Sequence, residues 1–120
     1  MNVFINDDQK ISDLQSDFSK IFPFLKIEFF SQMHKKGGGS AKKLMLPAHL
    51  TIGESRTIHK SGVLNITPQM SVSVLEGNFR DMYGLGVQVF RKSGSIWLET
   101  TVTDDWTLED QNKQGEALSK

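Results

Sequence analysis

Apolar residues along this chain follow two rhythms, one of strands and one of helices, and the pair of rhythms occurs twice. NVFI, Asn2 to Ile5, is a short apolar run of the kind that forms a strand. Leu14, Phe18, Ile21 and Phe22 then fall at i, i+4, i+7 and i+8, one face of a helix. Pro23 lacks a backbone donor and stops that helix. LKIEFF then alternates as a strand, with Leu25, Ile27 and Phe29 on one side and Lys26, Glu28 and Phe30 on the other. Farther along, VLNI (Val63 to Ile66) reads as a strand, Leu75, Phe79, Met82 and Tyr83 repeat the helical stripe, and LGVQVF repeats the alternation. Gly84 suits a left-handed helix C-cap. Ser12 with Gln15 and Ser73 with Glu76 have capping-box form and are predicted to open the two helices.

Sliding the chain so that Ile5 falls on Ile66 also places Ser12 on Ser73, Leu14 on Leu75 and Phe18 on Phe79. Dropping one residue near Pro23 and Gly84 then sets Leu25 on Leu85, Ile27 on Val87, Glu28 on Gln88 and Phe30 on Phe90. Both halves therefore ask for the same strand-helix-strand unit, whether by duplication or by convergence. Two such units predict an α+β, ferredoxin-like split βαβ domain. In it one antiparallel sheet carries both helices on one face and the first strand of each unit at its centre. Val3, Ile5, Leu25, Ile27, Leu64, Ile66, Val87 and Val89 would face the helices, and Phe4, Lys26, Phe30, Asn65, Gln88 and Phe90 would face away.

Beyond the second unit, FRKSGSIW is predicted to turn on Lys92, Ser93 and Gly94 into a fifth strand, Ile96 to Thr103, rich in residues that favour strands. Thr107 with Asp110 caps a terminal helix whose apolar residues are Leu108, Ala117 and Leu118 and which contains Gly115, so it is predicted to be marginal. Thr51 with Glu54 suits one short helical turn.

Composition narrows the class without naming a chemistry. A chain of 120 residues and 13.5 kDa reads as a single domain over 1–120, and 38% hydrophobic with 23% charged residues is the balance of an ordinary globular protein. Without cysteine, disulfides, thiolate nucleophiles and cysteine-held zinc are excluded. MNVFINDDQK has neither a basic stretch nor a long apolar one, and no run approaches the ~18 apolar residues of a spanning helix, so the expected location is cytoplasmic with no membrane partner. Net charge is zero but uneven. Lys35, Lys36, Lys42, Lys43, Arg56 and Lys60 stand against Glu54 in the middle, and acids dominate from Trp97 onward. Two oppositely charged halves can attract one another, which weakens the basic half as an argument for nucleic acid.

HKKGGGSAKK, His34 to Lys43, is a basic flap between the units. It is not a Walker A loop, since that motif needs glycines five apart followed at once by lysine and a hydroxyl residue, between a strand and a helix. A solvated loop accounts for its composition. A looser anion site on its glycine amides, with Lys42, Lys43, Arg56, Arg91 and Asp105 gathered between the flap and the acidic turn, is the ligand-binding or enzymatic alternative. His34, His49 and His59 lack the spacing of metal ligands on a common face, and Asp104 and Asp105, adjacent on extended chain, point apart rather than converging on one atom. No catalytic residue, metal site or cofactor is assigned. The aromatic residues Phe4, Phe30, Phe90 and Trp97 form the candidate interface: a second copy on the exposed sheet face or on the edge strand Ile96 to Thr103 makes a homodimer, and Phe30 and Phe90 with the flap lysines would take single-stranded nucleic acid. The central strands lack the glycine-aromatic and basic runs of RNA-binding sheets, so the homodimer is the expected partner arrangement.

GLGVQVFRKSGSIWLETTVTDDWTLEDQN, Gly84 to Asn112, resembles the carboxy-terminal segment of a family of small bacterial proteins, and the first unit with its flap is similar to theirs in order and length. The resemblance implies a bacterial, cytosolic origin and supplies no activity, substrate or site residue. The residues themselves lead to the expectation of a non-catalytic binding or protein-interaction module.

Overall fold

The computed structural model describes residues 1–31 and 44–119, so the flap, with Lys42 and Lys43, lies outside the described residues. Elements follow the repeat. β1 (Asn2–Ile5), α1 (Ile11–Ile21) and β2 (Leu25–Phe30) form the first unit, and β3 (Gly62–Asn65), α2 (Val72–Tyr83) and β4 (Gly86–Ser93) form the second. β5 (Ile96–Glu99) and α3 (Leu108–Leu118) complete the α+β fold, and a 3-10 turn at Gly53–Ser55 lies between the units. None of the helices among the described residues is long and apolar enough to cross a membrane.

Sheet order corrects the expectation of one ferredoxin-like sheet. β1 and β3 pair antiparallel as a two-stranded sheet, as expected for the first strand of each unit, but β2 and β4 do not flank them. They pair with each other, antiparallel, and with β5 make a second sheet in the order β2-β4-β5. Length explains the choice: four-residue β1 and β3 offer short flanks, whereas β2 and β4 match over the whole of Leu25–Phe30.

The registers carry an internal pseudo-two-fold. Val3, equivalent to Leu64 in the repeat, pairs with Leu64, and Glu28, equivalent to Gln88, pairs with Gln88. Pairs on either side exchange under the same operation: Ile27 with Val89 becomes Val87 with Phe29. The loops obey it too. Ile11 N–H donates to Leu50 O at 2.9 Å and Ser12 N–H to Ala48 O at 3.0 Å, while Val72 N–H donates to Trp106 O at 3.0 Å and Ser73 N–H to Asp104 O at 2.8 Å. In return, Ile52 N–H reaches Gln9 O at 2.7 Å and Leu108 N–H reaches Met70 O at 2.9 Å. The repeat therefore extends past the strands, to the Thr51–Glu54 turn in one unit and the Thr107–Asp110 start of α3 in the other.

One apolar cluster joins both units. The eight strand residues expected to face the helices are buried, with Leu14 and Phe18 from α1, Phe22 at its C-terminal cap, and Leu75, Phe79 and Tyr83 from α2. Each fully buried apolar side chain of this size contributes about 1.5–3 kcal/mol relative to exposure, so neither unit is independent of the other's side chains. Met82, read into the helical stripe, is instead exposed. On the opposite sheet face, Phe4 is 66% exposed as expected, but Phe30 is 3% and Gln88 0% exposed, against expectation, and Phe90 is half-buried. Phe30 bridges Met45 and faces the side-chain-free Gly86 across the ladder, a niche that alternation alone does not reveal.

Helix starts also differ from expectation, in the same way twice. α1 begins after Lys10, whose N–H donates to Asp13 Oδ2 at 3.1 Å, and α2 after Ser71, whose Oγ accepts from Val74 N–H at 3.2 Å. Gln15 and Glu76 instead tie helix to strand: Gln15 Nε2 donates to Ile27 O at 2.9 Å, and Glu76 Oε2 accepts from Val89 N–H at 2.9 Å. Gly84, at φ 65°, closes α2 as expected, with its N–H on Arg80 O and that of Leu85 on Phe79 O. Thr107 caps α3 as expected, its Oγ1 accepting from Asp110 N–H at 3.1 Å. That helix is docked rather than marginal: Leu108 and Gln111 are fully buried, and Gly115 brings its backbone so close to β2 that a Cβ there would lie 2.9 Å from Phe24 Cβ.

Candidate interaction surface

Of the residues predicted to form a ligand site, Lys42 and Lys43 lie outside the described residues, and Arg56 and Asp105 stand at opposite ends of α2. Arg56 is buried, its Nε and Nη2 donating to Asp7 Oδ1 at 3.0 and 2.8 Å and its Nη1 to Tyr83 O, at the C-terminal end of α2. Asp105 follows Asp104, whose carbonyl meets Ser73 at the N-terminal end of α2. A helix of 12 residues at 1.5 Å each separates the two by roughly 15–18 Å. Arg91 is on the Asp105 side, its Nη1 donating to Gln111 Oε1 at 3.0 Å and its guanidinium lying 5.7 Å over the ring of Trp106, the residue after Asp105. Among the described residues no group of three or more histidines, cysteines and acids could hold a metal ion.

Arg56 does line a cavity of about 280 Å³ with Phe30, Leu46, Glu54 and Ser55, but its charge is met by Asp7. Asp7 also receives His59 Nδ1 at 2.8 Å. The Arg56 hydrogen bond above all, then that of His59, holds the Asp7 carboxyl below its ordinary 3.8. This cluster links the β1-α1 loop, the inter-unit connection and the end of α2. Pairwise spacing in the sequence does not announce it, because Asp7 and Arg56 are remote in the chain, and His59 reads there as a surface residue.

The surface that stands out is the β4-β5 hairpin. Gly94, at φ 62°, is the first central residue of a two-residue turn completed by Ser95, which has no positive φ. That is the pattern of a type II′ turn, whose twist matches a hairpin. The turn is therefore Gly94–Ser95 rather than Lys92 to Gly94. The strand also ends at Glu99, well short of Thr103, because Thr100 folds inward and its Oγ1 donates to Val89 O at 2.9 Å. Ser93 closes the turn against Ile96, so the hydrogen-bonded pairs are Ser93–Ile96 and Arg91–Leu98. The N–H and C=O of Trp97 and Glu99 then point outward, away from β4, with no partner among the described residues.

Every residue of β5 is exposed on both faces. Trp97, 37% exposed, sits on the face of Lys26 and Phe90, with Lys26 Nζ 5.1 Å from its ring and 5.4 Å from that of Phe90. Ile96 and Leu98 occupy the other face, beside Arg91 and, through it, Trp106. Trp106, 42% exposed, extends the apolar area through Arg91, and Val102, in the segment after β5, is 96% exposed. Of the predicted interface residues, Trp97 lies at its centre and Phe90 beneath it, Phe4 belongs to the separate β1-β3 sheet, and Phe30 is inside. No family model, curated protein or solved structure matches the chain.

Proposed function

We propose that this chain is a non-catalytic protein-interaction module whose working surface is the outer edge of β5, extended by Trp106. The observation that carries the reading is a strand exposed on both faces, with its outward backbone groups unpaired among the described residues. An edge of this kind adds a further strand: backbone hydrogen bonds supply affinity, and apolar side chains on both faces supply specificity. Natural sheets guard such edges with charge, proline, a bulge or shortness; IWLE has no lysine, proline or bulge, and its only guards are Glu99 and its four-residue length. Tryptophan dominates the energetics of interfaces, and both tryptophans of the chain are on this surface. Stacking of single-stranded nucleic acid is the less favoured reading, since Phe30 is buried and Phe90 half-buried.

The test is a library of short random peptides displayed on phage and panned against the immobilised chain and its Trp97→Lys variant. Peptides retained at least about tenfold better by the natural sequence are expected. Equal retention of every enriched peptide by the two proteins counts against β5 as a surface for foreign segments.

A further inference from the structure

Resting on that reading of the β5 edge, we infer that its occupant is a second copy of this chain, paired antiparallel across a two-fold axis through Trp97. Geometry restricts the choice of register. Because Trp97 and Glu99 direct their N–H and C=O outward, a strand added here must bond to those residues and skip Ile96 and Leu98. With the axis at Trp97, its amide and carbonyl bond to those of Trp97 in the second copy, and Glu99 falls opposite the turn residue Ser95.

Side chains fit the same register. Ile96 falls opposite Leu98 of the second copy, Leu98 opposite Ile96, and the two indoles meet on the face that carries Lys26. The apolar triplet of β5 is thus its own complement when read in reverse, and each apolar residue finds an apolar partner. Charge agrees as well. Glu99 falls opposite Ser95, and the two Glu99 side chains are four residues apart along the ladder, about 13 Å, beyond the screening length of ~8 Å at physiological salt. Moving the axis to Leu98 would instead set each Trp97 against a Glu99. The fold already practises this kind of association, since β1 with β3 and β2 with β4 are pairings of each unit with its own equivalent. The result merges two three-stranded sheets into one continuous sheet.

A four-residue edge is a small interface, and interfaces of this size associate weakly. Light scattering should therefore be recorded from about 10 µM to 1 mM, where the mass is expected to climb from 13.5 kDa towards twice that value. Trp97→Lys should weaken association at least about tenfold. Trp97 is on the surface, so the variant should keep the far-UV circular dichroism of the folded chain.

Register is tested with Ser95→Cys and Glu99→Cys in a protein that has no other thiol. Mixed under mild oxidation, the two variants should form a disulfide-linked dimer, and neither should cross-link with itself. Self-linking by either variant alone overturns the axis at Trp97. A mass that stays at 13.5 kDa up to ~1 mM overturns self-association outright. That failure leaves the broader reading standing if displayed peptides still depend on Trp97, and removes both if they do not.

Discussion

The two strand-helix-strand units share a frame and differ in what is attached to it. In both, the segment after the second strand returns to the helix N-terminus and makes the same backbone contacts there, Leu50 and Ala48 in one unit and Trp106 and Asp104 in the other. After that return, the first unit makes a single 3-10 turn and then uses electrostatics, with Arg56 and His59 closing on Asp7. The second has Pro68 where the first has Asp7, and builds the full helix α3, which packs its backbone against β2. One frame can thus be finished by ion pairing or by helix packing. Among the described residues, the first unit pairs Met45 with Phe30 at this place, and the second forms the hairpin strand β5, whose outer edge is open.

The largest way to break this comparison is in the shared core. Phe18 and Phe79 are equivalent and almost fully buried, so Phe18→Ala and Phe79→Ala should each cost about 3–5 kcal/mol in urea unfolding. Each should retain one cooperative transition. Two separated transitions in either variant would mean that the units are stable apart, contrary to a single cluster.

The attachment of α3 comes next. Alanine is ordinarily the better helix residue by about 1 kcal/mol, yet at Gly115 its Cβ would lie 2.9 Å from Phe24 Cβ and 3.1 Å from Phe24 O. Gly115→Ala should therefore destabilise, by about 1–3 kcal/mol as overpacking does. A stabilised variant would show that α3 does not sit as described.

Smaller effects separate the two caps. Thr107→Ala should cost about 1 kcal/mol, since it uncaps a helix of 11 residues. Thr51→Ala, which uncaps only a 3-10 turn, should cost less, and thermal melts of the pair measure the order.

The smallest difference is in acid. Because the Asp7 carboxyl is held below 3.8 in the fold, its ion pair stabilises above that pH and is lost as pH falls through the lowered value. Asp7→Asn should then flatten the loss of stability below about pH 4, and melting temperatures between pH 5 and pH 2 test it. An unchanged acid limb would show that exposure of Asp7 screens the pair.

Strand, helix and inward-facing positions were legible because period and burial coincide: Leu14, Phe18, Ile27 and Val89 could be assigned from spacing alone. Strand order was not. Alternation says which side of β2 is buried, but not whether its edge bonds to β3 or β4, and that turned on the relative lengths of the strands. Capping boxes at Ser12 and Ser73 misled for a definite reason, since Gln15 and Glu76 are drawn to strand backbone groups that only the folded chain brings near. For the candidate surface, Trp97 and the edge were readable from a run of strand-forming residues after a turn. Phe30 was not, because the niche against Gly86 and Met45 is made by three separate segments. The Asp7–Arg56–His59 cluster had no local signal.

The pairing of Glu28 with Gln88 shows what joining two like units in one chain permits. A true homodimer must set the same side chain on both sides of its axis, so a glutamate there would confront itself, and an innovation on one side is copied to the other. With two units in one polypeptide, that constraint lapses. The axis position holds an acid on one strand and its neutral isostere on the other, and the same licence lets one unit grow a helix while its twin keeps only a turn.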